Sequence, residues 1–183
     1  FKLLHLKNEM LVANFLAMRG AMPHDPAVVS LWTWMAVGDL SIGVDLQFDQ
    51  LSILMMLVVT GVSAVIHVYS IGYMAHEEDF VRFFVYLNLF MAMMLMLVLG
   101  NNLLVLFVGW EGVGLCSYLL IGFFYDKPFD ERTGLSCADA GRKAFIVNRI
   151  GDFAFLIGLF ALAHRFGSLG FSEIFGAIEH DPS

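Results

Sequence analysis

The composition of this 183-residue chain is that of a membrane protein, because 59% of its residues are hydrophobic and only 15% are charged. A soluble domain has about 45–50% apolar and about 25% charged residues. The composition excludes a disordered tail, a disulfide-stapled secreted module and a basic nucleic-acid-binding protein. The net charge of −7 says little, because charge in a membrane protein is assigned loop by loop. Two cysteines, Cys116 and Cys137, indicate neither a disulfide framework nor a metal cluster.

The residues before the first long apolar run divide into two parts. Residues 1–29 are a poorly defined segment, which we interpret as the end of an earlier helix. Residues 41–48 alternate between polar and apolar side chains, the period of a half-buried strand. We therefore predict an external β-hairpin within residues 30–49. Its strands lie at about 31–36 and 41–48, with its tryptophans at the depth of the membrane interface.

Long uncharged runs predict the membrane-spanning helices, because about 20 apolar residues cross roughly 30 Å of hydrocarbon. The run from Gln50 to Ala75 contains no Asp, Glu, Lys or Arg, and the run from Phe83 to Tyr125 contains only Glu111. As one helix the second run would be about 65 Å long, so it folds back at the turn-like Gly100-Asn101-Asn102. The prediction is an all-α integral membrane protein with four complete transmembrane helices, at about 51–74, 80–99, 103–125 and 140–163.

The distribution of Lys and Arg predicts the orientation of these helices, since short cytoplasmic loops are enriched in positive charge. The loops after the first and third helices are therefore placed in the cytoplasm, whereas the opposite side has only Arg165. Residues 165–183 comprise a short amphipathic interfacial helix at Phe171–Glu179 and a truncated end. The positive charges in the cytoplasmic loops and adjoining helix ends are Arg82, Lys127, Arg132, Arg142 and Lys143.

Ionisable side chains interrupt the predicted spans at four positions: His67, Glu111, Arg149 and Asp152. An Asp, Lys or Arg at the centre of a membrane helix costs about 2.5–3.5 kcal/mol, so three unpaired groups would cost on the order of 8–10 kcal/mol. The net stability of a protein is typically about 5–15 kcal/mol. These groups therefore require pairing or hydration, and they indicate a functional path through protein or water.

The acidic and basic groups of the third and fourth spans lie at similar depth. Counted from the cytoplasmic ends, Glu111 lies roughly 21 Å and Asp152 roughly 18 Å along its helix. Glu111 is either a protonatable carboxylate at mid-membrane or a packing residue tied to a cation on a neighbouring helix. Arg149 and Asp152 share one helix face, with Arg142 on the same stripe nearer the cytoplasm. This stripe is either a hydrated entrance for protons or a helix that neutralises its own charges.

His67 belongs to a polar stripe on the first span, with Thr60, Ser63 and Ser70 on the same face. Histidine changes charge near neutral pH, which suits a proton relay. The alternative is a core histidine whose hydrogen bonds are satisfied. The sequence shows no phosphate-binding glycine loop, paired-cysteine motif or metalloprotease motif, so we predict no metal and no cofactor bound by this chain.

The string WEGVGLCSYLLIGF at 110–123 identifies a family. It resembles the antiporter-like membrane subunit L of bacterial NADH-quinone oxidoreductase (complex I), which is equivalent to mitochondrial NADH dehydrogenase subunit 5. The resemblance covers about 30–180 and implies the family's hairpin and its third to sixth transmembrane helices. Supporting strings are FDQLSILMMLVVTGVS (48–63), HVYSIGYM (67–74), RFFVYLNLF (82–90) and KAFIVNRIGDF (143–153).

The resemblance implies that the chain is an internal fragment of a larger helix bundle in the proton-pumping arm of complex I. The family's subunit binds no flavin, iron–sulfur centre or nicotinamide, although the complex uses NADH and quinone. By position, the resemblance implies proton-translocation roles for Glu111, Arg149, Asp152 and His67. Arg142 is predicted at the entrance from its place on the helix stripe and not from the resemblance. In the family, the glutamate matching Glu111 pairs with a lysine on a later helix, outside this chain.

The resemblance also implies the surroundings of the chain. Its expected partners are other membrane subunits of complex I, the remainder of the same subunit and the lipid bilayer, with no nucleic acid. The expected location is the bacterial inner membrane rather than the mitochondrial one. Two other functions remain open: a subunit of a multi-subunit Na⁺/H⁺ antiporter or membrane-bound hydrogenase, and a non-transporting membrane scaffold whose charges only lock helices together.

Overall fold

The computed structural model, which describes residues 26–37, 40–126, 128–130 and 135–180, has a β-hairpin followed by long helices. This confirms the predicted all-α membrane class with a preceding hairpin. The remaining residues, which include the predicted helix end in 1–25, the loop cations Lys127 and Arg132, and the polar end 181–183, lie outside the described part of the chain. In chain order the elements are β1 (Ala27–Val37), β2 (Leu40–Phe48), α1 (Gln50–Tyr73), α2 (Phe80–Leu99), α3 (Leu103–Ile121), β3 (Pro128–Asp130), β4 (Leu135–Ser136), α4 (Cys137–Phe166) and α5 (Phe171–His180).

Strand β1 is longer than predicted because it begins at Ala27, which pairs with Phe48 at the end of β2. The β-branched Val28 and Val29 favour this extension, and they pair with Gln47 and Leu46. Two irregularities in register, between Ser30 and Trp32 and between Thr33 and Met35, place extra residues on β1. The last three residues of the segment that we interpreted as a helix end, Ala27 to Val29, are therefore strand.

Three helix boundaries differ from the prediction by three or more residues, and each has a local cause. Helix α3 ends at Ile121 rather than 125, because the last bond to a carbonyl four residues back is that of the Gly122 N–H, and the Phe123 N–H bonds instead to Leu120, three residues back, in a turn. Helix α4 begins at Cys137 rather than 140, because Ser136 and Asp139 form a reciprocal capping box. It ends at Phe166 rather than 163, where Gly167 takes a left-handed conformation with φ of 69°, which glycine adopts without steric cost.

Four helices, α1 to α4, are long and apolar enough to cross a membrane. Their outward surfaces are largely apolar and exposed within this chain; Val65 and Val68 of α1 are both 70% exposed. A soluble protein does not leave whole helix faces of this kind in water. The chain is a multi-pass integral membrane protein.

Close approach of helix backbones brings α3 against both of its neighbours. A Cβ atom at Gly109 of α3 would lie 2.5 Å from the backbone nitrogen of Leu97 in α2. On the other side, a Cβ at Gly141 of α4 would lie 3.1 Å from the Tyr118 carbonyl of α3. Small residues permit such contact in membranes, where van der Waals packing drives association. The middle of α3 is consequently held between α2 and α4.

One end of the helix bundle is joined by polar contacts among the hairpin, the α2–α3 turn and α5. The Asn102 side chain accepts from the Val105 N–H at 2.8 Å, which caps α3, and donates to the Gly43 carbonyl of β2 at 2.8 Å. The Asn101 N–H donates to the Asp45 carbonyl at 3.0 Å. The β-hairpin is therefore hydrogen-bonded to the end of the helix bundle and packs as one unit with it.

Candidate functional site

A cluster of three charged side chains joins the middle of α3 to the middle of α4. The Arg149 guanidinium forms an ion pair with Glu111 through Nη1 and Oε2. The same Nη1 lies 3.7 Å from Oδ2 of Asp152. Exposure falls from 38% for the Arg149 side chain to 23% for Glu111 and 4% for Asp152. Two of the predicted residues on α4 and the predicted carboxylate on α3 are thus brought together.

The local sequence explains why the two polar helix faces meet. Arg149 and Asp152 are three residues apart on α4 and share a face. On α3, Gly114 leaves room for that face, since a Cβ there would lie 2.8 Å from Nδ2 of Asn148. The Arg149 guanidinium also lies over the Phe145 ring, 4.5 Å from its centroid, which is a favourable cation–π contact.

Trp110 is a member of this site that the sequence reasoning missed. Its indole Nε1 donates a 2.8 Å hydrogen bond to Oδ1 of Asp152. The indole also stacks on Phe155 of α4, with ring centroids 6.1 Å apart and planes 14° apart. A tryptophan beside a mid-membrane glutamate was a usable signal, because indole is a hydrogen-bond donor only and seeks an acceptor when water is excluded.

The charge balance of the cluster makes it a candidate for proton exchange. When both carboxylates are ionised, Arg149 compensates only one of their charges. An uncompensated charge away from water is costly, and uptake of one proton by either carboxylate removes it. Among the described residues, Oδ2 of Asp152 and Nε of Arg149 are also buried without a hydrogen-bond partner. Binding of one proton therefore removes the uncompensated charge, and Oδ2 of Asp152 is a buried acceptor atom that can hold this proton.

The other two predicted residues lie apart from this cluster. Nδ1 of His67 finds its hydrogen-bond partners on its own helix, since it lies 2.8 Å from the Ser63 carbonyl and 3.2 Å from the Ser63 hydroxyl. Its ring contacts Phe84 of α2, at 5.9 Å between centroids. Arg142 lies 3.7 Å from Asp139 on α4, and its side chain is 68% exposed. Within the part of the chain that the structure describes, no three His, Cys, Asp or Glu side chains are grouped to hold a metal ion.

Comparison with known proteins places the chain in a family. Residues 34–84 match the family described as the N-terminus of NADH-ubiquinone oxidoreductase (complex I) chain 5. Residues 100–182 match the transmembrane family of NADH:quinone oxidoreductase and Mrp antiporters. NADH-quinone oxidoreductase subunit L of Escherichia coli K12 is 52% identical over 144 residues, which are 79% of this chain and 22% of that protein. The chain belongs to the subunit L family of NADH-quinone oxidoreductase.

Another relative has the same name, and two solved structures share the fold of this chain. Subunit L of Mycobacterium tuberculosis H37Rv is 48% identical over 148 residues, 81% of this chain and 22% of the relative. The chain thus spans about a fifth of the length of these subunit L relatives. The Mrp complex of Dietzia sp. DQ12-45-1b superposes with a TM-score of 0.65 at 28% identity, covering 90% of this chain and 17% of that one. An archaeal membrane-bound sulfane sulfur reductase shares the fold, with a TM-score of 0.63 at 23% identity.

Proposed function

We propose that this chain is part of a proton-translocating membrane subunit of NADH-quinone oxidoreductase. NADH oxidation and quinone reduction elsewhere in the complex supply the energy, and the subunit L segment carries protons without a redox cofactor of its own. The observation that carries the proposal is the ion pair of Glu111 and Arg149 between α3 and α4, beside the buried Asp152. Membership of the subunit L family supports it.

In the proposed mechanism, Glu111 exchanges a proton as its cationic partner approaches and withdraws. A cation within about 4–6 Å favours the ionised carboxylate, and its departure favours proton uptake. Arg149 is the partner in this chain, and it is also within reach of Asp152. A guanidinium shared by two carboxylates therefore couples the proton occupancy of one to that of the other.

The remaining predicted residues receive outlying roles in this proposal. Arg142 lies two helical turns before Arg149 on α4, and its exposed guanidinium marks the entrance from the cytoplasm. His67 serves as a relay on α1, where its imidazole lies between the Ser63 carbonyl and the Phe84 ring of α2. Neither contacts the central cluster directly, so each acts through water or through helices of the subunit beyond this chain.

The proposed setting is the bacterial inner membrane, with the loops after α1 and α3 in the cytoplasm and the hairpin on the opposite side. Helix α5 lies at the membrane–water interface on the side of the hairpin. Its Phe175 and Ile178 are exposed, whereas Ile174 packs inward. The exposed apolar faces of α1 to α4 contact lipid, the remainder of the subunit and other membrane subunits of the complex.

The test is Glu111→Gln in the whole subunit, assembled into the complex in membrane vesicles. We expect NADH-driven proton uptake to fall at least about tenfold while the complex still assembles, because glutamine keeps the shape but holds no exchangeable charge. Glu179→Gln on α5, an exposed carboxylate outside the cluster, is the matched control and should leave uptake unchanged. Near-normal uptake in the Glu111 variant would overturn the proposal.

A sodium/proton antiporter is the second candidate, favoured by the structural likeness to the Dietzia Mrp complex. It predicts sodium-dependent activity and purification apart from NADH dehydrogenase subunits. The scaffold alternative predicts that Glu111→Leu is tolerated or stabilising, provided Arg149 is also replaced by an apolar residue, since apolar replacement of a buried ion pair often is.

A further inference from the structure

The two carboxylate oxygens of Asp152 have different surroundings. Oδ1 accepts the 2.8 Å hydrogen bond from the Trp110 indole. Oδ2 is buried, lies 3.7 Å from the Arg149 guanidinium and accepts no hydrogen bond from the described residues. Of the two oxygens, Oδ2 is therefore the one without a hydrogen-bond partner among the described residues, and it is open to a proton or to a closer approach by Arg149. The asymmetry originates at one donor, the indole N–H.

Rotation of the carboxylate plane would turn both oxygens away from these positions, because the terminal torsion of an aspartate has broad preferences. The side chain alone therefore does not fix the plane in which one oxygen faces Arg149. A directional donor does fix it, since hydrogen-bond strength falls steeply with misalignment. Trp110 is the described side chain that donates such a bond to Asp152.

The indole is itself held in place by a stack of aromatic rings that alternates between the two helices. Phe155 of α4 lies between Trp110 and Phe107 of α3, with centroid distances of 6.1 and 5.6 Å and interplanar angles of 14° and 13°. The stack fixes the plane of the indole and hence the direction of its N–H. Phe155 also follows Asp152 by three residues on α4, so ring and carboxylate share a helix face.

We propose that Trp110 is a positioning residue for proton transfer: its N–H fixes Asp152 so that Oδ2 is directed at Arg149 as the exchangeable oxygen. This rests on the proposed function and adds a role to a residue with no titratable group. The indole would be dispensable as a donor if it only filled space between α3 and α4. Only the role as hydrogen-bond donor needs the indole N–H, so a ring of the same shape without that N–H distinguishes it from a space-filling role.

The experiment replaces Trp110 in the whole subunit, within the assembled complex, by 3-benzothienylalanine, which has sulfur in place of the indole N–H. The control is tryptophan reinserted by the same suppression route. We expect the isostere to assemble and stack normally but to lower the rate of NADH-driven proton uptake by about tenfold or more, the effect of losing a hydrogen bond to a charged group. Trp110→Phe should give at least the same loss, and reinserted tryptophan should restore wild-type uptake.

Variants of the charged residues separate this inference from the proposed function. If Glu111→Gln and Asp152→Asn abolish uptake while the benzothienyl variant pumps normally, the role of Trp110 is overturned and the proposed function stands. If all three pump normally, both fail. Failure of the benzothienyl variant to assemble, when reinserted tryptophan assembles, would assign the N–H to folding and would also overturn the positioning role.

Discussion

The polar side chains of α1 and those of the α3–α4 contact differ in where their hydrogen-bond and ion-pair partners lie. On α1, the Thr60 hydroxyl donates to the Met56 carbonyl at 2.7 Å, and His67 contacts Ser63, four residues earlier. Between α3 and α4, the bond from Trp110 to Asp152 joins residues 42 positions apart. The hydrogen-bond partners on α1 come from the same helical turn, whereas the second region adds partners on another helix to the Arg149–Asp152 contact within α4.

This difference indicates where a charge change is transmitted. A group bonded within its own turn keeps its partners as long as that turn is helical, whatever its neighbours do. A group bonded to another helix depends on how the helices pack, so a change in its charge acts on both. The α3–α4 cluster is therefore the better candidate for a coupled proton site, and four substitutions test the contrast.

The largest expected effect is that of Arg149→Met. Removal of the guanidinium leaves Glu111 and the buried Asp152 without compensation, which costs about 3–5 kcal/mol for a buried pair. We expect a correspondingly lower thermal stability of the purified complex, or failure to assemble. Arg142→Met is the matched control on the same helix, since its pair with Asp139 is exposed and worth about 0–1 kcal/mol. Equal effects of the two substitutions would contradict the contrast.

Gly109→Ala tests the backbone approach that places α3 against α2. The new Cβ would lie 2.5 Å from the Leu97 backbone nitrogen, so the helices must separate. Overpacking of this kind costs about 1–3 kcal/mol. Gly158→Ala on α4 is the control, because nothing described lies within 4 Å of its Cβ. Thermal unfolding of the assembled complex measures both, and a harmless Gly109→Ala would show that close packing is not required.

Asp49→Ala tests the helix cap at the start of α1, where the hydrogen-bond partners lie within one turn. The carboxylate accepts the Ser52 N–H at 2.7 Å and caps the helix, a contact worth about 0.5–2 kcal/mol. Burial raises the pKa of Asp49, but hydrogen bonds from Ser52 and Gln47 outweigh burial and hold the pKa below its usual 3.8. Because the folded pKa is depressed, this stabilisation is present above about pH 4 and is lost as the pH falls through the folded pKa.

The control for that pH dependence is Asp49→Asn, which keeps an acceptor without the charge. Stability measured between about pH 6 and pH 3 should fall less steeply for Asp49→Asn than for the wild type. An unchanged slope would show that the cap does not contribute through its charge.

The smallest effect is expected for the coupling between His67 and the central cluster. A double-mutant cycle of His67→Phe with Glu111→Gln should give a stability coupling below about 0.5 kcal/mol, because the two groups share no partner. The cycle of Arg149→Met with Glu111→Gln should give a large coupling in the same assay. Coupling of His67 as strong as that of Arg149 would place both regions in one network.

Much of the fold was predictable because membrane insertion depends on composition. The spans of α1 and α2 were located to within a residue, since their ends coincide with charged or capping residues such as Asp49 and Asp79. The ends of α3 and α4 were missed by three or four residues, because apolar residues continue past Gly122 and the Ser136 cap precedes the apolar run. A hydropathy pattern registers where apolar residues stop, and a cap decides where helical hydrogen bonding stops.

The charged members of the candidate site were predictable, but its contacts between helices were not. Glu111, Arg149 and Asp152 stood out because charge in hydrocarbon is costly. The pairing of Arg149 and Asp152 follows from their spacing. Trp110 did not stand out, since an aromatic residue in an apolar helix carries no such cost until its donor is considered.

The sequence by itself determined the class, the family and the number of spans among the described residues, because these depend on local composition and motifs. Only the tertiary structure decided that Glu111 meets Arg149, that Trp110 holds Asp152 and that His67 remains on its own helix. Those outcomes depend on which helix faces meet, and backbone approach at Gly109 and Gly141 sets that packing. Side chains on separate helices acquire a common charge balance only after the helices have packed.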